Sequence, residues 1–158
     1  MTSRPANAPK PGPIAKERLR LWLKLLKSSS MIEDEIRRRL RNECNWTLPR
    51  FDVMSALSRA PDGLKMSEIS KKLRVSNGNI TGIVDKLTEE GLALRVAVPG
   101  DRRANLVRLT PKGQAVFAEH AAMHEAWIDE LLGGLTADDI DGMIRRLDHL
   151  SHTLEEKE

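Results

Sequence analysis

The stretch Ser76-Asn77-Gly78-Asn79-Ile80-Thr81-Gly82 concentrates small and polar side chains within two helical turns. An asparagine amide carries a donor and an acceptor side by side, the pair that meets the major-groove edge of adenine, and a threonine methyl can touch that of thymine. Glycines let a backbone approach a ligand closely. Ser76 is a good helix N-cap, and a helix N-terminus can hold a phosphate. Further along, Asp101-Arg102-Arg103 lies between two apolar runs. Arginine suits a narrow minor groove, whose negative potential attracts it. Lys65, Lys71, Lys72, Arg95 and Arg108 add cations able to reach phosphates, the contacts that carry most of the affinity for a nucleic acid.

Other chemistries find little support. There is no glycine-rich phosphate loop, nucleophile elbow or metal-hydrolase motif. The adjacent Asp138 and Asp139 are explained by helix capping, so an enzyme is not expected. His120 and His124 are four apart and His149 and His152 three apart. Each pair is half of a zinc site at most, and no set completes it. Both are expected on solvated helix faces, with no metal and no cofactor. Cys44 is the single cysteine. It rules out an internal disulfide, suits the cytosol and reads as an inert buried thiol.

The elements that must position these residues follow from periodicity. Residues 14–44 predict a long helix, with Leu19, Trp22, Leu23, Leu26, Ile32, Ile36 and Leu40 near helical spacing and Ser28 to Ser30 weakening its middle. Leu48-Pro49 opens a second helix with Phe51, Met54 and Leu57 inward. Pro61-Asp62-Gly63 is a turn. Ser67 to Leu73 and Ser76 to about Glu90 predict two short helices around a tight turn, a helix-turn-helix with Ile69, Leu73, Val75, Ile80 and Ile83 at the crossing. Gly91 ends the second. The period then drops to two: Leu94, Val96 and Val98 form one strand, Leu106 to Leu109 another, and 99–105 a charged turn. A helix over 111–132 and a last helix capped by Thr136 complete the chain. The alternative for residues 67–87 is an ordinary helical hairpin packed in a core; the β-hairpin that follows favours a wing, since a core β-hairpin would not carry Asp101, Arg102 and Arg103 at its tip, and its own alternative is a solvated turn.

Charge is unevenly spread. Residues 1–64 carry 13 Lys/Arg against 7 Asp/Glu, residues 65–118 carry 10 against 5, and residues 119–158 carry 3 against 11. The basic body points to a polyanionic partner. No apolar run is long enough to cross a bilayer, and the proline-rich start lacks the apolar core of a secretory signal. A cytoplasmic location is therefore expected.

Asp101-Arg102-Arg103 followed by Leu109-Thr110-Pro-Lys-Gly113 resembles the wing signature of the MarR family of bacterial regulators, D-x-R then L-T-x-x-G. Ser76 to Leu92 is similar to that family's recognition helix. Ser70 stands where many such motifs have Ala, and Arg74 where many have Gly. The resemblance spans residues 14–154. It implies a mainly α fold with a small β-hairpin wing (α+β), a winged helix-turn-helix whose long N- and C-terminal helices form a dimerisation domain. The implied division is a disordered tail at 1–12, the first dimerisation helix at 13–47, the DNA-binding lobe at 48–112 (recognition helix 76–90, wing 93–110) and dimerisation helices at 113–158. By the same resemblance Arg103 enters the minor groove, Asp101 holds its guanidinium, Arg102 meets backbone, and Asn77, Asn79 and Thr81 lie in the major groove.

One recognition helix touches little DNA, and a homodimer doubles the contacts and matches a palindromic site. Residues 14–25 and 115–154 are expected to pair with a second copy. The resemblance also implies a small-molecule effector: an aromatic acid, a phenolic compound or a CoA thioester. Trp22, Trp46, Phe51 and Met54 are candidate walls for it, with Arg18 and Arg50 as candidate anion partners. The expected function is a ligand-released repressor binding double-stranded DNA. The rival is an assembly module whose basic surface meets an acidic protein.

Overall fold

A computed structural model describes residues 10–73 and 77–158. Helix α1 spans Ala15–Arg39 and runs unbroken through Ser28 to Ser30, so the expected weak middle is absent. The helix widens into a π turn over Leu40–Cys44 and stops at Asn45, which takes a left-handed conformation (φ 54°). Asparagine is among the few residues that enter that region readily. The Trp46 amide donates back to the Leu40 carbonyl, closing the end.

Helix α2 spans Leu48–Ser58, with Thr47 as its N-cap accepting from the Arg50 amide. Next come strand β1 (Leu64–Lys65), helix α3 (Met66–Leu73) and helix α4 (Asn77–Glu89). Strands β2 (Ala93–Val98) and β3 (Asp101–Leu109) follow, then helix α5 (Pro111–Leu131) and helix α6 (Ala137–Glu155). The sheet is antiparallel in the order β1-β3-β2. Strand β1 is an addition to the sequence reading, since two residues carry no period.

The hairpin differs from expectation at its turn. Only Pro99 and Gly100 connect the strands, and Val98 pairs with Asp101. Residues 101–105, expected in a long charged turn, belong to β3. The next pair is Ala97 with Asn105, so the register jumps beside Arg102 and Arg103.

A backbone junction fixes this hairpin to α4 and α5. Gly91 adopts φ 73°, and the amides of Leu92 and Gly91 return to the carbonyls of Leu87 and Thr88, a Schellman ending. The Leu92 carbonyl accepts from the Thr110 amide at 3.0 Å, and the Thr110 hydroxyl donates to the Gly91 carbonyl at 2.7 Å. That hydroxyl also caps α5 by accepting from the Gly113 amide. A Cβ at Gly113 would lie 1.9 Å from the Leu92 oxygen, so only glycine fits.

One apolar core lies among α2, α3, α4, the sheet and the inner face of α5, joined by Ile36 of α1 and Leu40 of the π turn. Met54, Leu57, Ile69, Ile80, Val84 and Leu87 are fully buried there, each stabilising by about 1.5–3 kcal/mol relative to exposure. Helix α6 contributes no apolar side chain to the core among the described residues. Thr136 and Asp139 form a reciprocal capping box at its start, as expected.

Candidate nucleic-acid interface

Helix α4 is built in two halves by its sequence. Ile80, Val84 and Leu87 turn one side wholly into the core. The opposite side begins with Asn79 and Thr81, both exposed. Asn79 makes no side-chain hydrogen bond among the described residues. Gly82 follows on that exposed side, with nothing within 4 Å of where a Cβ would sit. Asn77 and Gly78 form the first turn of α4, and their side chains lie outside the described residues. So do Arg74, Val75 and Ser76, including the expected cap.

The cations fall into two groups. Lys65 on β1, Lys71 and Lys72 at the end of α3, and Arg108 on β3 are exposed. Arg95, expected to reach a phosphate, instead pairs with Asp85 and ties β2 to α4. This exposed pair contributes no more than about 1 kcal/mol. Asp101 is exposed at the start of β3. Arg102 and Arg103 share that strand, and their side chains lie outside the described residues. Helix α4 packs directly on β2, so the exposed polar side of α4 and the hairpin belong to one rigid unit.

The candidate effector residues are not gathered within one chain. Phe51 and Met54 are core. Trp22 is 54% exposed on α1, and Arg18 is exposed one turn before it. Trp46 is 6% exposed, with the Arg50 guanidinium 4.8 Å above its ring. Arg50 also binds Glu90 at the end of α4, which holds that carboxyl below its usual range. A separate cleft of about 390 Å3 opens between the end of α1, the start of α2 and α4.

The two histidines of α5 depart from expectation. His120 sets its ring against the edge of Trp46 at 4.0 Å, and His124 lies over Phe51 at 4.7 Å. Both are half-buried, and burial pushes both imidazoles below their ordinary pKa. They help join α5 to α2 rather than occupying a solvated face. Sequence spacing could not have found this, because the partners lie 74 and 73 positions away. Cys44 packs beside the core, and burial raises its thiol pKa. Among the described residues no group of three or more His, Cys, Asp or Glu could hold a metal ion. No helix among them is long and apolar enough to cross a membrane.

A helix pair with a polar outer side on its second member, followed by an antiparallel hairpin, defines a winged helix-turn-helix protein. The MarR family model matches residues 46–104, from the start of α2 into β3. Over 129 residues the chain is 28% identical to the transcriptional regulator MhqR of Bacillus subtilis, covering 81% of this chain and 87% of that one. It superposes on the transcriptional regulator BldR of Sulfolobus solfataricus with a TM-score of 0.77 at 25% identity, covering 90% and 99%. The fold is also that of Sco3205, a MarR family regulator of Streptomyces coelicolor solved with DNA, at a TM-score of 0.76, 20% identity and coverage of 94% and 93%. The chain is thus similar to MarR family transcriptional regulators, in sequence over residues 46–104 and in fold over nearly its whole length, as in the MarR family regulator of Silicibacter pomeroyi (28% identity, TM-score 0.71, covering 94% and 100%).

Proposed function

We propose that this protein binds a palindromic duplex as a homodimer and represses transcription until a small aromatic acid, a phenolic compound or its CoA thioester releases it. The observation that carries the reading is the exposed polar side of α4, where Asn79 and Thr81 project from a helix otherwise locked in the core. Asn77, Asn79 and Thr81 read the major groove, with Ser76 and Gly78 at the helix start against the backbone. Arg103 enters the minor groove, steadied by Asp101, while Arg102, Lys65, Lys71 and Lys72 meet phosphates. The relative solved with DNA supports this use of the fold.

The homodimer is supported by where apolar surface lies. The large apolar side chains that stay exposed fall at 14–31 and on α6, including Leu19, Trp22, Ile144 and Leu147. Exposed apolar stripes of this kind mark an interaction site. The acidic C-terminal helices then stand away from the duplex. Release requires an effector that binds one dimer shape better than another.

Selection of bound duplexes from a random pool tests the reading. One preferred palindrome with a steep fall of affinity in salt is expected. Arg103→Ala should weaken binding by about 1–3 kcal/mol while leaving the circular dichroism unchanged. Equal, weak binding to every duplex would favour the assembly-module reading instead. Titrating aromatic acids, phenols and thioesters against the selected duplex tests the effector, and no release by any would remove it.

A further inference from the structure

The crevice between α4 and the hairpin is bridged by a pair of charges. Arg95 stands opposite Val107 in the register of β2 and β3, and opposed side chains of an antiparallel pair share a face. Val107 is fully buried, so Arg95 leaves the core-side face of the hairpin. It does so at the margin of the core, since Ala97 beyond it is exposed. Asp85 lies one turn after Thr81 on the exposed side of α4. The Arg95 guanidinium donates to the Asp85 carboxylate across the crevice. Both side chains stay open to solvent, 37% and 51% exposed, so stability gives little reason for the pair. Arg95 is also unlike the other cations of this side. Lys65, Lys71, Lys72 and Arg108 form no ion pair among the described residues, whereas Arg95 is held by a carboxylate.

We propose that Asp85 is a specificity-determining residue: it withholds Arg95 from duplexes that the reading helix does not fit, and yields it to the one that does. The inference rests on the reading given above, with α4 in the major groove and the hairpin in the adjoining minor groove. A single sugar-phosphate strand separates two such grooves, and it then crosses the crevice that Asp85 and Arg95 bridge. On a mismatched duplex the strand stands off. The carboxylate keeps Arg95, and the protein binds one phosphate short. On the selected duplex α4 seats deeply, helped by the open space at Gly82, and a phosphate takes the guanidinium in place of Asp85. The exchange is easy, because an exposed pair is weak and the guanidinium fork suits phosphate as well as carboxylate. A phosphate contact carries no sequence information of its own. One made only on a good fit raises the ratio of specific to non-specific affinity, which decides where a regulator sits among competing sites.

The test measures salt dependence with the full chain on the selected duplex and on a scrambled one of equal length. Each phosphate contact adds about 0.9 to the slope of log affinity against log salt. Asp85→Asn is expected to steepen the slope on the scrambled duplex by about 0.9 and to leave that on the selected duplex unchanged. At about 0.1 M salt one such contact amounts to roughly eightfold in affinity, so the ratio of selected to scrambled affinity should fall by about that factor. Asp85→Asn/Arg95→Gln should lose the gain, and Asp85→Asn/Arg95→Lys should keep it. Thermal melts of all three variants should stay near the parent's, since both side chains are exposed. An unchanged slope on the scrambled duplex overturns the proposal, as does an equal gain on both duplexes. A gain that survives Arg95→Gln also overturns it, because the effect is then only relief of repulsion between Asp85 and phosphate. If the parent binds no duplex at all, the DNA reading falls and the inference with it. If the parent selects a duplex but Asp85→Asn fails these expectations, the reading stands and the inference alone falls.

Discussion

Gly82 is placed where helix chemistry disfavours it. It lies inside α4 with open space at its Cβ position, and a mid-helix glycine is roughly 1 kcal/mol worse than alanine. Among the described residues no packing offsets that, so the proposed gain lies outside, in close approach to a groove. Gly82→Ala is expected to raise the unfolding free energy by about 1 kcal/mol and to weaken binding of the selected duplex. Denaturant melts and duplex titrations check both halves, and stabilisation without loss of binding would take Gly82 out of the interface. The histidines of α5 give a second outcome at this scale. Burial depresses both pKa values in the fold. The unfolded chain therefore binds more protons near its own value of about 6.5. Their contribution is complete above that pH and is lost as pH falls through the depressed folded values. Asp52 is pushed up by burial and acts with the opposite sign, losing its contribution as pH rises through its folded value. Urea midpoints measured across about pH 5–8 should fall on the acid side, and less so in a His120→Gln/His124→Gln variant.

Among the elements, the start of α5 shows what the Leu-Thr-x-x-Gly stretch does. Thr110 caps α5 and grips Gly91, while Gly113 lets the helix lie on the Leu92 carbonyl. Gly113→Ala is expected to destabilise by roughly 1–3 kcal/mol, the usual penalty of overpacking, and a shift in the denaturant midpoint at constant slope measures it. The glycine signal was visible in the sequence, but its reason was not, because the clash is with a carbonyl 21 positions away. Periodicity made α1, α2, α4 and α6 legible, since each buries or offers one stripe. The drop from period 3.6 to two exposed the hairpin. What escaped depends on partners distant in sequence. Strand β1 exists because Leu64 and Lys65 meet Val107 and Leu106. The two-residue turn at Pro99-Gly100 was hidden because the charge of 101–103 read as loop. For the interface, Asn79 and Thr81 were legible as polar positions opposite an apolar stripe. The tie of Arg95 to Asp85, and the scattering of Trp22 and Arg18 away from Trp46, were not, since spacing on one helix says nothing of what another brings.

At the scale of the whole molecule, the core and the exposed apolar surface divide the chain. The core is complete without α6 and without residues 14–31, the segments given to a second copy in the proposed homodimer. Light scattering should give twice the chain mass, and thermal stability should rise with protein concentration. Leu147→Asp, on the exposed stripe of α6, should yield monomers in which the fluorescence of the buried Trp46 and the helicity persist. A Leu147→Asp protein that stays dimeric would move the interface elsewhere. The junction at Leu92 bears on how such a dimer works. Reading helix, hairpin and the root of α5 are bolted together through adjacent carbonyls, so there is no joint at that corner. Torque along α5 must swing the entire reading head at once. The ion pairs of Arg39 with Glu130 and of Arg50 with Glu90, whose carboxylates face water, let go far more easily than that knot does.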